Sequence, residues 1–180
     1  MLLLSTTGYS DKQKEVAKKL IQKYVISPND TNVGLVTYDN PFTTLQLKDG
    51  TNQKRIIQTL DAMKIRERDN VNDALDYLLG TVYTSKKGGS RPGVPKQAIF
   101  IVDDVNFKDS VRVSDQIEKL KNLGINAIFV TVGDNTNVVP VDTPFVDVYF
   151  FPDDLDSIDR IINPVIFSTG QGRVAFVCLL

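Results

Sequence analysis

Histidine and tryptophan are missing from these 180 residues, and cysteine occurs once. Without histidine the chain lacks the commonest general base, the commonest metal ligand and any Ser-His or Cys-His nucleophile pair. The lone Cys178 permits no internal disulfide and no cysteine-rich zinc site. An excess of one charge is missing too: Lys plus Arg number 21 against 22 for Asp plus Glu, a formal net charge of −1. That balance offers no attraction to nucleic acid or to an anionic membrane. The apolar runs stop at strand length, which argues against membrane insertion, and residues 1–4 are too short for a signal-peptide core. Neither a Gly-x-Gly-x-x-Gly fingerprint nor a phosphate-binding P-loop is found. These absences remove the commonest catalytic and phosphate-binding arrangements, and the length is that of one domain.

What is present is a strong pattern of buried strands. Residues 96–104 carry the run Ala98, Ile99, Phe100, Ile101, Val102, ending in Asp103 and Asp104. A short continuous apolar run of β-branched and aromatic residues reads as a strand covered on both faces. Ligands of such sheets sit outside the carboxyl ends of the strands, so any site is expected near Asp103. Adjacent Asp103 and Asp104 point to opposite faces of an extended strand, which speaks against an acid–base pair.

Helical spacing places helices over residues 11–25, 52–63, 71–82, 109–123 and 153–167, with Ser10 and Gly124 as candidate end caps. Strands are expected at 33–38 and 42–47, joined as a hairpin, and at 125–132 and 146–151. Residues 66–70 and 86–95 read as exposed charged loops. Tyr38, Tyr77, Tyr83 and Phe129 fall at core periodicities. The expected fold is a three-layer α/β/α doubly wound sandwich, its sheet mostly parallel with one antiparallel hairpin strand.

Ordered along the chain, five segments resemble the von Willebrand factor type A domain. They are 33–38 (Val-Gly-Leu-Val-Thr-Tyr), 72–75 (Asn-Asp-Ala-Leu), 89–96 leading into 99–103, 149–151, and 153–155. The resemblance covers nearly the whole chain. It implies an extracellular, secreted module that acts through protein–protein contacts in matrix or adhesion assemblies. It also implies a magnesium or manganese site at the carboxyl end of the sheet, with an Asp-x-Ser-x-Ser loop, a Thr and a further Asp as ligands. Carried across, those slots fall at Ser5, Thr7 and Tyr9, at Asp69, and at Asp103. Ser5 thus stands where the family has its first carboxylate, Tyr9 replaces the second serine, and Asp104 replaces the usual glycine. Two readings follow: a degenerate site with no resident cofactor, or a weak Mg or Mn site using Asp103, Asp69, Thr7 and Ser5. A separate alternative is a flavodoxin-like carrier of FMN, since residues 5–10 (Ser-Thr-Thr-Gly-Tyr-Ser) resemble its phosphate-binding loop. The hairpin argues against it.

The chain divides into a domain at 1–169 and, at 170–180, a Gly-Gln-Gly linker followed by a second apolar strand. Val174, Phe176, Cys178 and Leu180 carry that strand, which resembles the family's first one. It is the opening of a next domain in a tandem array, a central strand supplied from the C-terminal side by permutation or exchange between copies, or an added edge strand. Expected partners are copies of this chain through residues 174–180, or a fibrous matrix protein.

Overall fold

The computed structural model describes residues 10–37, 43–63, 71–83, 88–102, 110–132, 146–151 and 175–179. The first helix, α1 (Ser10–Gln22), buries Val16, Ala17, Leu20 and Ile21 along one face. It stops short of the expected residue 25. The amides of Lys23 and Tyr24 bond the carbonyls of Leu20 and Ile21, tightening the last turn, and Val25 emerges 73% exposed. The turn that follows is held by Ser27, whose hydroxyl donates to Asp30 (2.6 Å) and accepts from the amides of Asn29 and Asp30.

Strand β1 (Asn32–Val36) is buried throughout and pairs antiparallel with the short β2 (Thr43–Leu45). The second strand is briefer than its apolar pattern suggests because residues 47–49 turn back toward β1. The Val33 amide bonds the Gly50 carbonyl at 2.9 Å. A Cβ on Gly50 would stand 1.6 Å from the Val33 carbonyl oxygen, so only glycine allows the chain to pass there.

Asn52 caps α2 (Gln53–Ala62) by accepting from the Arg55 amide at 3.0 Å, and Ile56 and Leu60 turn inward. Helix α3 (Val71–Tyr77) continues into a π turn at Leu78–Val82 in place of the regular helix its spacing suggests. The reason lies at its end. The Tyr83 amide bonds the Leu78 carbonyl, and this wider turn brings Tyr83 under Leu78 so that Leu78, Val82 and Tyr83 are all buried. The Tyr83 hydroxyl then donates to the Gln97 carbonyl.

Strands β3 (Lys96–Val102), β4 (Ile125–Val132), β5 (Val146–Phe151) and β6 (Ala175–Leu179) complete one six-stranded sheet of order β2-β1-β6-β3-β4-β5. Apart from the β1–β2 pair, every pairing is parallel. Phe100 and Phe129 are register partners on β3 and β4, and their rings stack at 4.4 Å. Helix α4 (Ser110–Asn122) returns from β3 to β4 and ends at Gly124, whose φ of +70° closes the last turn. Helices α1 and α2 pack together, as do α3 and α4. This is the doubly wound α/β architecture expected from the strand pattern. No described helix is long and apolar enough to cross a membrane. The helix expected at 153–167 lies outside the described residues, as do Tyr38 and the clusters Arg66, Arg68 and Lys86, Lys87.

Two outcomes test this packing. Gly50→Ala is expected to lower the unfolding free energy by at least about 3 kcal/mol in a urea titration, because backbone must move to admit the methyl. Burial pushes the Tyr83 hydroxyl well above its ordinary pKa. The folded state therefore holds this proton more tightly than the unfolded chain. That contribution is complete below about pH 10 and is lost as pH rises from there toward the folded-state value. Tyr83→Phe is expected to cost about 1 kcal/mol at neutral pH and to flatten the alkaline decline, as read from denaturation at stepped pH.

Candidate functional site

The carboxyl end of a parallel sheet is where its loops can meet a ligand. Strands β1, β6, β3, β4 and β5 all point the same way, so Val36, Leu179, Val102, Val132 and Phe151 share that rim.

The helices can be oriented from their contacts. Gln53, at the start of α2, donates to the Ile21 carbonyl near the end of α1 at 3.1 Å. Asp61, at the other end of α2, pairs with Lys18 and accepts from Lys14. The two helices are therefore antiparallel. The turn through Gly50 ties the start of α2 to Val33, at the amino end of β1. Hence α1 begins, and α2 finishes, at the carboxyl rim. At the far end of α3 and its π turn, Tyr83 is bonded to Gln97 at the foot of β3, so Val71 begins at the rim as well.

Asp103, Ser5, Thr7 and Asp69 themselves lie outside the described residues, as do Tyr9 and Asp104. What the structure supplies is their flanks. Ser10 opens α1 directly after the loop that bears Ser5 and Thr7. Met63 and Val71 bracket the segment with Asp69, and Val102 is the last described residue before Asp103. All of these flanks stand at one end of one sheet.

Helix α4 is fixed against α3 near this rim. Gln116 donates to the Asn72 carbonyl at 3.1 Å and to Asp76 at 2.5 Å, and Arg112 pairs with the other oxygen of Asp76. The Arg112–Asp76 pair is half exposed, so it steers the two helices more than it stabilises them.

Of the strand positions expected to mediate interaction, Val174 and Leu180 lie outside the described residues. Phe176 and Cys178 fall within β6. Phe176 stands opposite Val33 and Gln97, and Cys178 opposite Leu35 and Ile99.

One residue escaped the sequence reading. Gln13, in the first turn of α1, is fully buried, and among the described residues neither its Oε1 nor its Nε2 has a hydrogen-bond partner. Its signal was in the sequence: Gln13 stands three residues before Val16, in phase with the apolar stripe. An orphaned amide in a core is a standing cost.

A family model described as von Willebrand factor type A domain matches residues 5–159. Matrilin-1 of Gallus gallus is 30% identical over 160 residues, a match covering 82% of this chain and 31% of that protein. The chain thus spans about a third of the length of this curated relative. Among solved structures, proximal thread matrix protein 1 from the mussel byssus aligns with a TM-score of 0.69 at 16% identity, over 93% of this chain and 44% of that one. A form of it with a zinc-occupied MIDAS motif gives 0.68 at 17%, over 91% and 44%. Manganese-loaded TRAP protein of Plasmodium vivax gives 0.67 at 12% identity, over 96% of this chain and 72% of that one.

Gln13→Met, which keeps the side-chain length and deletes the amide, is expected to raise stability by about 1–2 kcal/mol. Unchanged stability in chemical denaturation would mean that the amide finds a partner in solution.

Proposed function

The chain belongs to the von Willebrand factor type A domain family, and on that premise we propose that it serves as a non-enzymatic adhesion and assembly module. It acts outside the cell, through protein contacts that need no bound ion. Its partners are a fibrous matrix protein or further copies of the chain. The extracellular placement is supported by the likeness to a matrix protein of the mussel byssus.

The observation that carries the reading is the set of residue types at the sequence positions where the family has its ligands. Small divalent cations demand oxygen ligands and carboxylates to offset their hydration. Of the five positions that correspond to the family's ligands, Ser5, Thr7 and Tyr9 offer neutral hydroxyls, leaving Asp103 and Asp69 as the charged groups. The carboxylate that the family carries in its first loop is missing from that set, and Tyr9 replaces a serine. The residues therefore fit a resident Mg or Mn poorly, and adhesion is assigned to surface complementarity.

A metal-dependent reading has one observation in its favour: the described flanks of Ser5, Thr7, Asp69 and Asp103 end at a single rim. There Asp103 and Asp69 would hold the ion, assisted by Thr7 and Ser5. The FMN-carrier reading is set aside, because β2 runs antiparallel at the sheet edge and the family match spans most of the chain.

Binding to an immobilised fibrous matrix protein such as collagen separates these readings. Retention is expected to be the same in 1 mM EDTA as in millimolar Mg or Mn. The melting temperature is expected to move by less than about 1 °C with the ion, since a ligand near its dissociation constant adds only about 0.4 kcal/mol. A rise of several degrees that disappears in Asp103→Ala would establish the metal-dependent reading instead.

A further inference from the structure

The last strand in the sequence is an interior strand of the sheet. β6 lies between β1 and β3, parallel to both, with register partners from Asn32↔Ala175 to Val36↔Leu179 on one side and from Lys96↔Ala175 to Phe100↔Leu179 on the other. Without it the sheet falls into two parts, β2-β1 and β3-β4-β5, each with a raw inner edge. Unpaired edges of this kind are templates for any matching strand.

One contact across the seat does not involve β6. Strands lie about 4.8 Å apart, so β1 and β3 stand about 10 Å from each other across it. Arg91, in the loop before β3, reaches over the amino end and donates to the carbonyls of Pro28 (2.9 Å) and Asp30 in the turn before β1. Two segments on either side of the seat are thereby tied to each other. The family match stops at residue 159, so five of the described strands belong to the matched segment and β6 comes from beyond it.

Between Phe151 and Ala175 the chain is long enough to choose. With the expected helix at 153–167, residues 152–174 reach about 50 Å, more than the roughly 14 Å across the sheet and about 17 Å along it that separate the end of β5 from the start of β6.

We propose that the seat between β1 and β3 is a strand-accepting site and that in the assembled protein its occupant is β6 of a second copy of this chain. Donor and acceptor are different surfaces, so each copy gives one strand and takes one. Such a heterologous contact propagates into an open chain unless the rotation closes a ring. Every backbone pairing made within one chain is made equally between two, and only the tether decides between them. This deepens the reading of an assembly module and rests on it.

Cys178 makes the test direct, because it is the only thiol and stands opposite Leu35. A chain carrying Leu35→Cys and Cys178→Ala is co-folded with the unaltered chain at about 1 mM, the range in which a neighbour's strand competes with a tethered one. After mild oxidation, a mixed product of twice the 20.0 kDa chain mass, linked between position 35 of one chain and Cys178 of the other, is expected on a non-reducing gel. The unaltered chain folded the same way is expected to elute as dimers and larger species that persist on dilution. Should Leu35→Cys fail to fold, Ile99→Cys with Cys178→Ala reports from the other wall of the seat. Chains that stay monomeric and give no mixed product overturn strand exchange. If such monomers still bind collagen, the adhesion reading stands alone; if exchange occurs without any matrix binding, self-assembly is the whole function.

Discussion

The two-sided backbone ladder of β6 is the interaction on which the rest of this structure depends. Its neighbours β1 and β3 belong to different halves of the chain, and no other described strand joins them. The antiparallel hairpin with α2 is one half, and α1 packs on α2 while reaching across to β3. The stacked β3–β4–β5 unit with α3 and α4 is the other. The buried side chains of both, from Leu35 to the Phe100–Phe129 stack, belong to one apolar cluster. Neither buries its inner edge until β6 is seated, which makes the order of the fold a matter of completion as well as of collapse.

Much of this was legible in the sequence, where one face or both faces of an element are apolar without interruption. The β3 run from Ala98 to Val102 is legible as a buried strand because no polar residue breaks it, and the β4 run from Ala127 to Val130 follows the same logic. Element ends were less legible. Helix α1 loses three residues to a tightened turn that its own periodicity does not reveal, since Tyr24 stays in phase with Leu20. The π turn at Leu78–Val82 was hidden for the same reason: its residues also satisfy an ordinary helical spacing. At Gly50 only the tertiary passage beside Val33 shows why nothing larger than glycine fits. Gln13 was overlooked because a single polar residue on an apolar stripe is easily assigned to the boundary.

The rim shows where sequence patterns and structure divide the work. The residue types at Ser5, Thr7, Asp69 and Asp103 come from the sequence alone. What the described elements add is direction: α1 begins, α2 ends, α3 begins and β3 ends at one edge of the sheet. That convergence is enforced by bonds at the opposite edge, between Gln53 and Ile21, Val33 and Gly50, and Tyr83 and Gln97. The scaffold for a site is thus held from below, independent of which groups the loops present above it.

The parallel setting of β6 has a mechanical consequence. Tension applied at Leu179 along the strand pulls across its neighbours' hydrogen bonds instead of peeling them one by one, so the bonds on both flanks share the load and yield together. A strand at the margin of the sheet, or one pulled sideways, would unzip at far lower force. Fibres linked through such strands would resist stretching up to a sharp rupture point, the behaviour of a rivet more than of a spring.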